Sequence, residues 1–192
     1  MKRTIRNLCA AVLAAGLWAA PAAQKDKGAN RYEGGNVATP GTMGENAAAR
    51  EVRHRLVMLP YYTVFDNLTY QLSGNTVTLY GQVVRPQLKS DAAAAAKSVE
   101  GVERVINRIQ VLPLSPMDDR LRRAEFRAIY GYADLYRYAE QAIPSIHIVV
   151  DNGKVTLVGT VDNAADKALA GVRAKSVPGV FSVVNDLQAG LP

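Results

Sequence analysis

The chain has 192 residues, one cysteine and a formal net charge of +6. Three basic residues lie in a predicted export signal, so the remaining chain of about 170 residues has a charge near +3. This mild bias is not a nucleic-acid-binding signature. The length suffices for two small domains, but not for one large catalytic domain.

Residues 1–23 are predicted to be a secretion signal. An apolar run of about 13 residues, positions 8–20, follows a basic start made of Lys2, Arg3 and Arg6. The run is shorter than the roughly 20 residues that span a bilayer as a helix. A retained N-terminal anchor is the competing interpretation.

Small residues allow cleavage after Ala22 or Ala23, which would remove Cys9 and leave no thiol in the exported chain. A lipoprotein signal places its apolar stretch before the cysteine, whereas basic and polar residues precede Cys9. We therefore expect no lipidation. Residues 24–44 contain few large apolar residues and are predicted to form a flexible tether.

A first folded unit, copy one, is predicted over residues 45–112. Its apolar residues recur every three to four positions where a helix is expected, and at every second position where a strand is expected. The predicted elements are a helix that Pro60 ends, a strand over 68–72, a turn at Gly74-Asn75, a strand over 77–83, a second helix and a final strand over 105–111.

The most informative feature is an internal repeat, in which residues 77–110 match residues 155–188 at a constant offset of 78. The period is too long for a solenoid unit, so it indicates two copies of one domain. A short proline-containing linker, residues 113–117, separates copy one from copy two, residues 118–189. Asp118 and Asp119 are predicted to cap the first helix of copy two.

The repeat predicts an α+β fold with two copies of an αββαβ module. Each module is a small three-stranded mixed sheet with two helices packed on one face. Gly81 and Gly159 are expected where a side chain would obstruct the approach of a helix. Gly101 and Gly179 are expected to end the second helix of each copy in the left-handed conformation.

Both copies resemble the BON domain, a small module of the bacterial envelope. Two stretches of copy two carry the resemblance, Gly153–Val161 and Val177–Asn185, and copy one has both less perfectly. Tandem BON pairs behind a signal are similar to osmotically induced periplasmic proteins and outer-membrane lipoproteins of Gram-negative bacteria. The resemblance implies a periplasmic location, association with phospholipid membranes and envelope maintenance, and no catalytic residues.

Sites for metal or acid–base chemistry are poorly supported. Glu51 and His54 have a spacing that places two ligands on one helical face, but arginines surround them and a metal needs more ligands. His147 lies at a polar position of its strand, and we expect it to be exposed. Asn107 and Asn185 are expected to be structural amides bonded to the backbone. We predict no catalytic residues, metal or cofactor.

The start of copy two carries the candidate binding surface. Tyrosine suits a membrane interface because its ring is apolar and its hydroxyl stays wet, and arginine attracts anionic headgroups. Packing of these rings in the core, with ordinary solvated arginines, is the alternative. Tyr61, Tyr62 and Phe65 form a corresponding group in copy one. The candidate lipid-binding residues are Arg122, Arg123, Phe126, Arg127, Tyr130, Tyr132, Tyr136 and Arg137.

We therefore expect a non-enzymatic periplasmic protein that binds anionic phospholipid surfaces peripherally and supports the envelope under stress. The alternative is an adaptor that grips an outer-membrane protein or a cell-wall component. Nucleic-acid binding is disfavoured by the export signal and by the modest charge. The sequence leaves the oligomeric state open.

Overall fold

The computed structural model describes residues 47–141 and 143–190. The predicted signal and tether lie outside these described residues. Copy one contains the elements α1 (Ala47–Val57), β1 (Asn67–Ser73), β2 (Thr76–Val83), α2 (Pro86–Lys97), β3 (Arg104–Asn107) and β4 (Gln110–Val111).

Copy two repeats this order, which confirms the predicted α+β fold with two αββαβ modules. An additional short helix and a 3₁₀ turn lie between its first helix and its first strand. The elements are α3 (Pro116–Tyr130), α4 (Ala133–Tyr136), the 3₁₀ turn (Arg137–Ala139), β5 (Ile146–Asp151), β6 (Lys154–Val161), α5 (Ala164–Lys175) and β7 (Ser182–Ala189).

Each sheet is mixed, as predicted. In copy one, β1 pairs antiparallel with β2, and β2 pairs parallel with β3 and with β4. In copy two, β5 pairs antiparallel with β6, and β6 pairs parallel with β7. Alternate strand residues such as Ile146, Ile148 and Leu157 point into a core that Ala170 and Ala174 of α5 cover. These small alanines let the helix lie close to the sheet.

The final strand of copy one was predicted to be continuous, and it divides into β3 and β4. Asn107 is the last residue of β3, and its Oδ1 accepts the N–H of Ile109 at 3.1 Å. Its Nδ2 donates to the carbonyl of Lys89 in α2 at 2.7 Å. Asn185 makes the equivalent bonds to Lys167 and Leu187. The prediction of structural amides is confirmed in both copies.

The helix-capping prediction for copy two was wrong. Ser115 is the N-cap of α3, and its hydroxyl accepts the N–H of Asp118 at 3.1 Å. Asp118 lies inside the first turn, where its two carboxylate oxygens accept the N–H groups of Asn152 and Gly153 at 3.0 and 2.9 Å. The buried carboxylate therefore ties the β5–β6 turn to α3.

The glycines in the second strand of each copy were predicted to make room for a helix, but the group that lies against them is the backbone of the neighbouring segment. Gly81 and Gly159 have φ angles of +114° and +123°. A Cβ at Gly81 would lie 1.9 Å from the carbonyl oxygen of Asn67, and one at Gly159 equally close to that of Ser145. The obstruction would thus be with the adjacent strand backbone and not with a helix.

Gly101 and Gly179 have the predicted left-handed conformation, with φ angles of +84° and +91°, but they do not end the helices. Ser98 and Ser176 are the C-caps of α2 and α5 and remain right-handed. One further turn separates each cap from its glycine, because the amides of Val99 and Val177 bond back to the last helical turn. The glycines therefore redirect the chain into the final strand.

Copy one covers the free edge of β5 in copy two. The turn Thr63–Asp66 precedes β1 and is held by Asp66, whose carboxylate accepts the N–H of Thr63 at 3.0 Å and that of Val84 at 2.8 Å. The carbonyl of Val64 accepts the N–H of Ile148 at 2.8 Å. We call this turn, with its contacts to β5, the edge seal.

His147 lies at the centre of the edge seal, so the expectation that it is exposed was wrong. Its side chain is 0% exposed, and its ring stacks on Tyr62 with 5.5 Å between the ring centroids. Nδ1 lies 2.6 Å from the carbonyl oxygen of Asp66, so this nitrogen must donate. The strand pattern correctly placed His147 on the face of β5 opposite to Ile146 and Ile148. It could not show that copy one covers this face.

Burial lowers the pKa of His147 from its ordinary 6.5 to about 4, although the carbonyls of Asp66 and Thr63 favour the proton. Within the described residues, Nε2 has no hydrogen-bond partner. The neutral ring is therefore the form that the edge seal holds.

The edge seal predicts a specific pH dependence of stability. Unfolded His147 takes up a proton below about pH 6.5, whereas the folded residue resists protonation down to about pH 4. The free energy of unfolding should therefore fall by roughly 2–3 kcal/mol between these values. Urea unfolding followed by circular dichroism measures this loss in the wild type. His147→Gln lacks the titrating group, so the difference in free energy of unfolding between wild type and variant should change with pH. A difference that stays constant from pH 7 to pH 4 would contradict the assignment.

Candidate functional site

Helix α3 has two sharply different faces. Leu121, Glu125 and Ile129 follow one another at intervals of four residues and are buried against the sheet. On the opposite side, Arg123 and Arg127 are exposed together with Arg120. At 100° per residue, these three arginines fall within about 60° of one another around the helix axis. We call them the arginine stripe.

The eight predicted binding residues do not share one surface. Arg122 and Tyr130 are buried, with exposures of 4% and 3%, so their expected place on a surface was wrong. The exposed members are Arg123, Phe126, Arg127, Tyr132, Tyr136 and Arg137.

Arg122 and Tyr130 fasten α3 to β5. Arg122 donates to the carbonyl of Val150 at 2.8 Å and forms an ion pair of 2.6 Å with Asp119. The Tyr130 hydroxyl donates to the carbonyl of Ile146, and burial raises the pKa of this tyrosine. Both side chains satisfy carbonyls of the strand, which explains why residues with polar ends are tolerated beside the core.

The residues that follow α3 form a second group. Arg173 of α5 lies over the ring of Tyr132, 5.0 Å from its centroid. Arg137 contacts Asp166 and forms an ion pair of 3.1 Å with Asp162. Hydrogen bonding to Tyr138 raises the pKa of Arg137. Arg137 therefore has internal acidic partners, unlike the arginines of the stripe.

Phe126 connects the arginine stripe to copy one. Its ring centroid lies 5.0 Å from that of Tyr130 and 6.3 Å from that of Phe65. The side chain remains 37% exposed. This aromatic row places an apolar ring beside the arginines at the seam between the copies.

Sequence reasoning missed Glu125, which lies at the centre of the buried face of α3. Its side chain is 0% exposed, and neither carboxylate oxygen has a hydrogen-bond partner within the described residues. Burial raises the pKa of Glu125 to about 8, so the carboxyl group is mainly protonated at neutral pH. The four-residue spacing of Leu121, Glu125 and Ile129 was the sequence pattern that could have placed Glu125 on the buried face of the helix.

In the part of the chain that the structure describes, the remaining titratable groups do not form a recognisable reactive site. His54 is exposed, and Glu51 accepts a hydrogen bond from Arg55 at 2.7 Å. Among residues 47–141 and 143–190, no three side chains of His, Cys, Asp or Glu gather as a metal site requires. In the same ranges, every helix is too short or too polar to cross a bilayer.

Comparison with known proteins adds the family context. A family model of the BON domain matches residues 46–113 and 133–190. The osmotically-inducible protein Y of Escherichia coli is 31% identical over 157 residues, which cover 76% of this chain and 73% of that protein.

A second relative is the outer membrane lipoprotein DolP of Haemophilus influenzae. It is 28% identical over 108 residues, which cover 56% of this chain and 55% of that protein. Among solved structures, CdsD, a structural protein of the type III secretion system of Chlamydia trachomatis, is 12% identical with a TM-score of 0.27. The match covers 72% of this chain and 90% of CdsD.

Replacement of buried Glu125 by an uncharged residue should increase the stability of the protein at neutral and higher pH. Unfolded Glu125 loses its proton near pH 4.5, whereas the folded residue keeps it up to about pH 8, so the wild type loses stability as the pH rises between these values. Glu125→Gln should be more stable than the wild type by roughly 2–4 kcal/mol at pH 8 and nearly equal to it at pH 4. Urea unfolding at both pH values checks this, with the exposed Glu140→Gln as control. An equal effect at both values would rule out titration as the cause.

Proposed function

The chain belongs to the BON domain family, and from that premise we propose a non-enzymatic periplasmic protein that binds anionic phospholipid surfaces. Binding is peripheral and uses the first helix of copy two. Its role is to support the integrity of the cell envelope under stress. Relatives named as osmotically inducible and as an outer membrane lipoprotein support an envelope role.

The arginine stripe carries this proposal. Within the described residues, Arg123 and Arg127 make no ion pair, whereas Arg55, Arg122 and Arg137 each have an acidic partner. Free guanidinium groups on one side of a rigid helix can meet several phosphate groups at once. Each basic residue near an anionic surface contributes about 1 kcal/mol.

Exposed aromatic rings beside the stripe fit the same partner. Phe126 offers an apolar ring, and Tyr136 is 57% exposed at the far end of the helical segment. Aromatic side chains are enriched where lipid headgroups meet the hydrocarbon region. The combination of fixed positive charge and exposed rings is typical of a surface that lies on a membrane without crossing it.

Removal of the stripe tests the function. Replacement of Arg120, Arg123 and Arg127 by Gln should weaken binding to vesicles of phosphatidylglycerol and phosphatidylcholine about 100-fold, because roughly 3 kcal/mol of attraction is lost. Co-sedimentation at low salt measures this change. Binding by the wild type should also decrease as salt is added.

The matched control removes the same charge from copy one. Arg85, Arg104 and Arg108 are exposed there, and their replacement by Gln should change binding only slightly. Equal losses in the two triple variants would show that net charge acts without a specific surface. Failure of the wild type to bind anionic vesicles at low salt would reject the function and favour an adaptor that grips an envelope protein.

A further inference from the structure

A group of exposed apolar side chains lies at the end of copy two where α3 begins. Leu114 is 92% exposed, Met117 47% and Phe181 79%. Leu114 precedes the N-cap of α3, Met117 is in its first turn, and Phe181 ends the loop between α5 and β7. We call these three residues the apolar tip.

Backbone contacts hold the tip in place. The N–H of Phe181 donates to the carbonyl of Gly153 at 2.8 Å. A Cβ on Gly179 would lie 3.3 Å from the terminal methyl group of Met117, so this methionine rests on the same loop. The Asp118 carboxylate in the first turn of α3 accepts the N–H of Gly153 in the β5–β6 turn. The first turn of α3, the β5–β6 turn and the loop before β7 are therefore held together, with Met117 and Phe181 on adjoining elements and Leu114 next to the start of the helix in the chain.

The fold itself does not require an aromatic ring at position 181. The internal repeat aligns Phe181 with Glu103 of copy one. The N–H of Glu103 donates to the carbonyl of Asn75 at 2.9 Å, which is the bond that Phe181 makes to Gly153. The same backbone thus accepts a charged residue in copy one and carries a largely exposed phenylalanine in copy two.

Basic residues surround the tip. Arg120 contacts the sulfur of Met117 at 3.8 Å. Lys154 is exposed next to Gly153, and Lys175 is exposed in the last turn of α5.

The acidic groups nearby are engaged. Both oxygens of Asp118 accept backbone N–H groups, Asp119 pairs with Arg122, and Asp151 accepts a hydrogen bond from Asn152. The four basic residues here, Arg120, Arg122, Lys154 and Lys175, outnumber the three acidic ones, Asp118, Asp119 and Asp151, so the net formal charge around the tip is positive.

We propose that the apolar tip inserts Phe181 into the headgroup–hydrocarbon boundary of an anionic phospholipid bilayer. This inference rests on the proposed function and adds an orientation to it. The tip and Tyr132 lie at opposite ends of α3, which spans about 20 Å at 1.5 Å per residue. Copy two then meets the membrane first with the beginning of α3, where the arginine stripe starts, and Tyr136 at the far end makes a weaker, secondary contact. An exposed phenylalanine flanked by cations matches an anionic bilayer in both apolarity and charge.

Phe181→Glu is the decisive substitution, because copy one shows that glutamate is compatible with this backbone position. Binding of the exported chain, residues 24–192, to phosphatidylglycerol-containing vesicles should weaken at least 10-fold, since the apolar contact is lost and a like charge is added. Met58→Glu makes the same change of charge at a 67% exposed apolar residue of copy one and should stay within about twofold of the wild type. Tyr136→Glu should fall between these two variants.

A second measurement reports insertion directly. Residues 24–192 contain no tryptophan, because Trp18 lies in the predicted signal, so Phe181→Trp in this exported chain places the only tryptophan at the tip. Its emission should shift to the blue with anionic vesicles and be quenched by brominated lipid. Unchanged emission, or Phe181→Glu binding as well as the wild type, would overturn the tip proposal.

The results of these experiments distinguish insertion of the apolar tip from the proposed lipid binding by the arginine stripe. If the Gln triple variant loses binding while Phe181→Glu keeps it, the arginine stripe binds and the tip does not insert. If the wild type fails to bind vesicles, both proposals fall. A vesicle-free dimer that Phe181→Glu converts to a monomer would identify a second copy as the occupant and overturn insertion.

Discussion

The edge seal determines how the two modules act together. An edge strand presents unpaired backbone groups, which invite pairing with other chains. Here the turn Thr63–Asp66 of copy one occupies that edge of β5, through the bond from Ile148 to Val64 and through the buried ring of His147. The two copies are therefore packed against each other, because copy one covers the strand edge of β5 that copy two leaves unpaired.

This constraint bears directly on α3. The helix is fastened to β5 by Arg122 and Tyr130, and β5 is in turn held by copy one. Phe126 meets Phe65 across the same seam. Because α3 is held in one position, the proposed binding to a flat, charged surface would cost little backbone freedom. Buried Glu125 reduces stability at the centre of the helix, while the arginines on its outer side stay free.

The fold could be read from the sequence because its signals are local and occur twice. Gly74-Asn75 identified a hairpin turn, and Asn185 a structural amide, from patterns that span only a few residues. The site was less accessible. Whether His147 is buried depends on copy one covering the second face of β5, and strand periodicity contains no information about such a distant contact. The arginines were assigned as a cluster, whereas helical geometry separates Arg122, bonded to a strand carbonyl, from the exposed Arg123.

The most direct test is hydrogen–deuterium exchange of the exported chain, residues 24–192, with and without vesicles containing phosphatidylglycerol. If α3 of a sealed two-module unit meets the bilayer, added vesicles should slow exchange in the first half of α3 and in the loop before β7. The amide of Ile148, already bonded to Val64, should exchange slowly in both conditions. Protection confined to copy one, or rapid exchange at Ile148 without vesicles, would contradict this account.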